Sequence, residues 1–236
     1  MTKKHIRDDT VLHIAARYGR TELLAEIPRL SPFMAGAENN KGETPLHEAC
    51  RMGHDKILMM LMETDPWVAS KPQLQELDDG ENATFLHVAA SEGHIAIVRK
   101  LLEMHPNVAQ KLNKNGYSPL HHACSRGHLE ITAILLGHDP ERAFRFNRTG
   151  YALVHLAIIN GSSKLLREFV SGFRRHKSFY QPDKNVDTSL HLAVSGGRHQ
   201  IAEYIIKEGG GGGRAQINYQ NFRGDNVEKM MSRNDF

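Results

Sequence analysis

A short motif centred on a histidine recurs six times along the chain, and this recurrence limits the possible folds more than any other feature. The motif histidines are separated by 34, 40, 34, 34 and 36 residues, and in every copy an alanine follows by two positions and a glycine by six. A threonine or serine precedes the histidine by three positions in every copy except the fifth. The motif residues are Thr10 and His13, Thr44 and His47, Thr84 and His87, Ser118 and His121, His155, and Thr188 and His191. A unit repeated at a nearly constant period predicts a stack of similar structural units.

Each unit has the residues of two helices joined by a tight turn. In the second copy, Thr44 is a good N-cap, Pro45 suits the first helical position, and Gly53 can adopt the left-handed conformation that ends a helix. The following segment places its apolar residues on one helical face, as with Ile57 and Leu61. A proline follows 19 residues after the histidine in the first four copies, and Asn-rich, Gly-containing turns separate the units. The sequence therefore predicts an all-α solenoid of helix-turn-helix repeats with hairpin-like turns.

The motif resembles the ankyrin repeat, in which Thr-Pro-Leu-His-x-Ala is followed by Gly at a period near 33 residues. The string Asp-Pro-Trp-Val-Ala at residues 65–69 and residues 42–50 further resemble plant ankyrin proteins of the accelerated-cell-death type. This resemblance implies defence signalling and, in that family, a C-terminal membrane segment called the PGG domain. No window of this chain approaches the 18 apolar residues that a membrane span needs. We therefore expect a cytoplasmic protein, which the resemblance alone would place at the inner face of the plasma membrane.

The repeats divide the chain into four segments. We predict a polar tail over residues 1–7, six repeats over residues 8–208, a Gly-rich linker over residues 209–215, and a partial seventh repeat or C-terminal cap over residues 216–236. The repeats begin near residues 8, 42, 82, 116, 150 and 186. Three departures stand out. Pro28 is expected to end or kink the second helix of its repeat. The 40-residue spacing predicts an insertion within residues 71–76. Ala152 replaces a capping Thr at a cost of about 1 kcal/mol.

The 15 histidines suggest chemistry, but their positions favour a structural role. Zinc ligands must converge within about 2 Å of one ion, whereas equivalent positions in stacked repeats lie about 8–10 Å apart. Cys50 and Cys124 are two repeats apart, too far for a disulfide, and are predicted to be small buried residues. No metalloprotease helix, P-loop or nucleophile elbow occurs. We therefore predict no catalytic, metal or cofactor site. The net charge of +3 gives no reason to expect nucleic acid as a partner.

The residues that change from copy to copy are the candidates for a binding surface. Two such positions lie four and five residues after each motif histidine, and others lie in the turns. Tyr18, Met52, Tyr117 and Tyr151 are expected to be exposed anchors, because aromatic residues and Met are enriched at interfaces. The early turns are acidic and the later ones basic, which would suit an elongated partner of opposite polarity. The predicted partner-binding residues are Arg17, Tyr18, Arg51, Met52, Glu92, Arg126, Asn160, Tyr117, Arg148 and Tyr151.

These observations predict a non-enzymatic, monomeric adaptor that binds another protein. By resemblance, its pathway is plant immune or stress signalling. The alternative is that the chain is the cytosolic ankyrin domain of a truncated membrane-anchored signalling protein. Apolar segments encoded after Phe236 would favour that alternative.

Overall fold

The computed structural model describes residues 8–30, 32–64, 84–173, 181–208 and 216–233, and this part of the chain consists of helices joined by turns. The α-helices are α1 (Val11–Arg17), α2 (Thr21–Leu30), α3 (Pro45–Met52), α4 (Asp55–Thr64), α5 (Phe85–Glu92), α6 (Ile95–Met104), α7 (Pro119–Arg126), α8 (Leu129–His138), α9 (Leu153–Asn160), α10 (Ser163–Phe173), α11 (Ser189–Ser195), α12 (His199–Glu208) and α13 (Val227–Arg233). Odd-numbered helices contain the motif histidine or, for α13, its equivalent position. The described residues contain no β-strand, which agrees with the predicted all-α fold.

The start and end of the first helix in a repeat follow from its cap residues. Thr44 has extended backbone dihedrals at the N-cap of α3, and Pro45 occupies the first turn. At the other end, Gly53 has a φ of 76°, the left-handed conformation that halts the helix. A Cβ added to Gly53 would also lie 2.6 Å from the His94 ring. This position therefore requires glycine for both its conformation and its space.

The chain forms two compact units, Met1–Leu120 and His121–Phe236. In the first unit, α1 packs on α3 and α3 on α5, while α2 packs on α4 and α4 on α6. In the second, α9 packs on α11 and α11 on α13, while α10 packs on α12. Neither helix of a pair is long enough to be stable alone, so the repeats depend on burial against their neighbours. Leu46, Leu58 and Leu61 form part of this core in the first unit, and Leu166 and Leu190 do so in the second.

Prolines lie near the ends of the second helices of several repeats. Pro106 and Pro140 follow the ends of α6 and α8, but each begins a short 3₁₀ helix, Pro106–Gln110 and Pro140–Phe144. The expectation that Pro28 ends its helix early is wrong, because α2 continues to Leu30 and has ten residues, as many as α4. Pro28 removes a single N–H donor near the end of the helix, and the remaining turn still forms.

The end of the described chain and its gaps bear on the other departures. Helix α13 runs from Val227 to Arg233 and packs on α11, and whether residues 216–236 are a partial seventh repeat or a C-terminal cap stays a prediction. The insertion predicted within residues 71–76 and the Gly-rich linker at residues 209–215 lie outside the described residues. Among the residues that are described, no helix is both long enough and apolar enough to cross a membrane.

Candidate functional site

The motif histidines join the start of their own helix to the next repeat. In the first unit, the backbone N–H of Thr44 donates to Nδ1 of His47 at 2.8 Å, and that of Thr84 donates to Nδ1 of His87 at 3.1 Å. Because a backbone N–H can only donate, Nδ1 is the acceptor and the ring proton is on Nε2. This Nε2–H of His87 donates to the carbonyl of Tyr117 at 3.0 Å, and that of His13 to the carbonyl of Glu43 at 2.7 Å.

The second unit uses the same arrangement. His155 accepts from the Ala152 N–H and donates to the carbonyl of Gln181, both at 3.0 Å. His191 donates to the carbonyl of Asp225 at 3.0 Å. Burial lowers the pKa of His121 to about 4, and it also lowers the pKa of His155. The hydrogen bonds of His155 and His191 thus serve to connect neighbouring repeats. In the described part of the chain no three His, Cys, Asp or Glu side chains are grouped so that they could hold a metal ion.

A second set of side chains caps the C-terminal ends of the first helices, where carbonyls lack helical partners. His54 donates through Nε2 to the carbonyl of Arg17 at 3.3 Å, and His94 to that of Arg51 at 2.8 Å. At the equivalent position of the sixth repeat, Arg198 donates to the carbonyl of Ile159 at 3.4 Å. These caps connect neighbouring repeats. His54 and His94, whose rings could in principle bind metal or act in catalysis, are therefore used in hydrogen bonds between repeats.

Two of the predicted partner-binding residues, Arg17 and Arg51, are held in a charge network around Glu48. The carboxylate of Glu48 is fully buried and accepts from Arg17 at 3.0 Å and from Arg51 at 2.8 Å. Arg17 also contacts Asp9 at 2.7 Å, and Arg51 pairs with Glu43. Burial by itself would raise the pKa of Glu43, but the hydrogen bonds and charge of Arg51 hold it below its usual value. Arg17 and Arg51 are therefore held by contacts within the fold, and their role in binding a partner stays a prediction.

Glu48 is the residue that the sequence interpretation missed. The position directly after the motif histidine holds Ile14, Val88 and Leu156 in other copies, so an acid there is unusual within this chain. Arginines follow the motif histidine by four positions only in the first two repeats, on either side of that acid. The sequence thus contained a signal for the network. Only the structure shows that the three side chains meet.

The remaining predicted residues divide by exposure. Tyr18 is 66% exposed and Met52 is 44% exposed, and Glu92, Arg126, Asn160 and Arg148 are also exposed. The Asn160 amide donates to the carbonyl of Ser125 at 2.6 Å, so part of that side chain is already used. The expectation of exposure is wrong for Tyr117 and Tyr151, which are half-buried. The centre of the Tyr151 ring lies 6.4 Å from the centre of the His155 ring, so Tyr151 packs near the motif histidine of its own repeat.

The two cysteines are free and buried. Burial raises the pKa of the Cys50 and Cys124 thiols. A thiol with a raised pKa is a poor nucleophile and a poor metal ligand at neutral pH. Within the described residues, the candidate functional surface thus consists of exposed side chains that change from repeat to repeat.

The turns between repeats are shaped by an Asn or Asp side chain. Asp183 accepts through Oδ1 from the backbone N–H groups of Asn185 at 2.8 Å and Asp187 at 2.9 Å. The fourth position of the turn has positive φ and is glycine elsewhere, at Gly42, Gly116, Gly150 and Gly224. In the turn at residues 183–187 this position is Val186, with a φ of 62°. It is the one non-glycine residue with positive φ in the described ranges.

Comparison with known proteins agrees with this repeat architecture. The family model for ankyrin repeats in three copies matches residues 1–70 and 65–144, and the model for a single ankyrin repeat matches residues 186–222. One similar protein is Protein ACCELERATED CELL DEATH 6 of Arabidopsis thaliana, which is 41% identical over 54 residues. That alignment covers 23% of this chain and 8% of the relative, so the similarity involves only a small part of the longer protein.

Proposed function

The chain belongs to the ankyrin-repeat family, and from that premise we propose that it is a non-enzymatic adaptor that binds a protein partner through its exposed, copy-variable side chains. Ankyrin repeats are a protein-interaction fold and are generally not enzymes. The hydrogen bonds of the motif histidines and the burial of both cysteines support this proposal, because they leave the most reactive side chains in structural roles.

The exposure of Tyr18 and Met52 is the observation that carries the proposal. They occupy equivalent positions at the ends of α1 and α3, two helices that pack on each other. The preceding residues, Arg17 and Arg51, are fixed by Glu48, whereas nothing in the fold requires an aromatic ring or a thioether at the exposed positions. Neighbouring helices lie about 8–10 Å apart, so one partner segment can cover both side chains. Aromatic residues and Met are enriched in such contacts.

The test is affinity capture from plant tissue extract with the full chain as bait. We expect the variant Tyr18→Ala/Met52→Ala to lose the proteins that the unmodified chain recovers reproducibly, as measured by quantitative mass spectrometry. The matched control is Val11→Ala/Leu23→Ala, because those side chains are 52% and 48% exposed on the same unit. The control is expected to keep the full set of proteins. Equal recovery by both variants at equal thermal stability would refute this binding surface.

We further propose that the pathway is plant immune or stress signalling. The support is the resemblance of residues 42–50 and 65–69 to accelerated-cell-death proteins, together with the local similarity to the Arabidopsis protein. Plants lacking the gene are expected to show an altered cell-death response to a pathogen. The response should be restored by the unmodified chain and not by Tyr18→Ala/Met52→Ala. Restoration by both chains would contradict a signalling role for this surface.

A second candidate is that the chain is the cytosolic ankyrin domain of a membrane-anchored signalling protein. We consider this candidate because the alignment covers only 8% of the Arabidopsis protein, which is much longer than the aligned part. Sequencing of full-length transcripts distinguishes the two: apolar segments encoded after Phe236 would support the anchored form, and a stop codon there would support the separate adaptor. Cell fractionation of the endogenous protein then tests whether it is cytoplasmic or at the plasma membrane.

A further inference from the structure

A cleft of about 590 Å³ lies between two turns of the unit His121–Phe236. One wall is the turn at residues 183–187 and the other is the turn at residues 221–225. Lys184, Asp187, Phe222 and Arg223 are among the residues that line the cleft. The backbone N–H of Phe222 donates to the carbonyl of Asn185 at 3.2 Å, which fixes one turn to the other. The cleft is therefore part of the folded repeats and is formed by two connected turns.

Cationic side chains stand at the tips of three consecutive turns in this unit. They are Arg148, Lys184 and Arg223, and all are exposed. The first two turns are in contact, because a Cβ added to Gly150 would lie 2.5 Å from the Cβ of Lys184. Neither Lys184 nor Arg223 forms an ion pair within the described ranges. Residues 121–236 carry 16 Lys and Arg against 11 Asp and Glu, whereas residues 1–120 carry 14 against 16. The excess of positive charge thus belongs to the unit that contains the cleft.

The acids at the cleft already have partners. Asp187 accepts from the Asn221 amide at 2.8 Å, and the carboxylate of Asp225 contacts Lys229 at 2.6 Å. Asp225 is also buried, with 7% of its surface exposed. Lys184 and Arg223 are therefore exposed at this edge and are not engaged by the acids of the cleft.

Phe222 adds an apolar contact to this row of cations. It is 85% exposed, more than any other large hydrophobic side chain in the described residues. The equivalent turn positions hold Asn40, Lys114, Arg148 and Lys184, so the fold does not require an aromatic ring there. An exposed aromatic ring beside arginine is typical of an interaction site.

We propose that this edge, formed by Arg148, Lys184, Arg223 and Phe222, binds an extended acidic peptide segment with carboxylates at every third residue and an apolar side chain beside Phe222. The inference rests on the proposed role in protein binding and specifies the partner. Neighbouring repeats are about 8–10 Å apart. An extended chain advances about 3.3 Å per residue, so three residues span the distance between neighbouring turns.

The test measures fluorescence anisotropy of a labelled peptide on titration with the full chain. The probe carries three aspartates at every third position, followed by a leucine. A second probe has the same composition with the aspartates adjacent. We expect the spaced probe to bind more tightly, and its binding to weaken as salt is raised. Lys184→Glu/Arg223→Glu is expected to weaken it about tenfold or more, and Phe222→Ala about fivefold.

The matched control is Lys164→Glu/Lys207→Glu, which changes the net charge equally on helices α10 and α12, outside the lining of the cleft. It is expected to retain most of the affinity. Only variants whose melting temperature equals that of the unmodified chain are compared. Equal binding of the two probes, or equal loss in both double variants, would overturn the proposal. Tighter binding of oligothymidine than of the spaced peptide would also overturn it, in favour of a nucleic acid surface. If the peptide fails while the Tyr18 and Met52 capture test succeeds, only this inference is lost.

Discussion

Val186 has positive φ in the turn at residues 183–187, and at this position we expect glycine to give a more stable protein than alanine, the reverse of the usual order. In the unfolded chain glycine has more conformational freedom than alanine, and this favours alanine by about 0.4–1 kcal/mol at an unstrained position. At a φ of 62° the L-residue costs about 1–2 kcal/mol in the folded state. The conformation is imposed by Asp183, which accepts the backbone N–H groups on both sides of Val186.

The informative comparison is between Val186→Gly and Val186→Ala, because both remove the two γ-methyl groups of valine and the two variants differ only in the Cβ methyl. We expect the Gly variant to have the higher free energy of unfolding, by roughly 0.5–1 kcal/mol after the difference in unfolded-state freedom is subtracted. For a chain of this length 1 kcal/mol corresponds to a change of about 2–4 °C in melting temperature. Calorimetry and urea unfolding of the two variants measure this difference directly.

Gly137 supplies the control of opposite sign. It lies within α8, and a Cβ added there has no atom within 4 Å. Gly137→Ala should therefore raise the free energy of unfolding, by up to about 1 kcal/mol. If alanine is more stabilising than glycine at both positions, Val186 does not adopt positive φ in solution, and the strain argument fails.

Three further predictions concern buried groups. Glu48→Gln should lower the free energy of unfolding by about 2–3 kcal/mol, measured with urea, because it removes the buried charge shared by Arg17 and Arg51. The control Glu103→Gln changes an exposed ion pair and should lower it by less than about 1 kcal/mol. Equal losses of stability in the two variants would contradict this prediction. The pKa of His121 is lowered to about 4, so the unfolded chain binds more protons between pH 6.5 and 4. Stability should fall by about 3 kcal/mol as the pH drops through that range, and a His121→Gln variant with an equally steep pH dependence would exclude His121 as the cause. Ala152→Ser should raise the melting temperature by about 2–4 °C, because the serine hydroxyl can bond to the His155 ring as the Thr188 hydroxyl bonds to that of His191. An unchanged melting temperature would show that the hydrogen bond from the Ala152 N–H to His155 already caps the helix fully.

The candidate site was only partly predictable from the sequence. Tyr18 and Met52 were selected because they vary from copy to copy, and the structure leaves both exposed. Arg17 was selected by the same criterion, yet it is tied to Glu48, which lies 31 residues away in the next repeat. Variation between copies cannot distinguish a side chain that contacts a partner from one that contacts a neighbouring repeat.

The position of Val186 illustrates a signal that was present in the sequence. Four of the five turns have glycine at their fourth position, and the turn at residues 183–187 has valine there. Pro28 was also visible, but it does not end its helix early, because α2 continues to Leu30; the kink that was its other expected effect stays a prediction. One lost hydrogen bond near a helix end is a small term compared with the packing of the helix against its neighbours.

The repeat motif, the order of the helices and most of their cap residues are readable in the sequence. These features depend on contacts within a few residues, such as Thr44 with His47, and the copies repeat them except that the fifth has Ala152 in place of the capping hydroxyl residue. The tertiary structure alone decided which side chains are held between repeats and which face solvent. That distinction separates Arg17, which is held by Glu48, from the exposed Tyr18 beside it. It depends on pairs of residues about one repeat apart in sequence, and their distances are set by how neighbouring repeats pack.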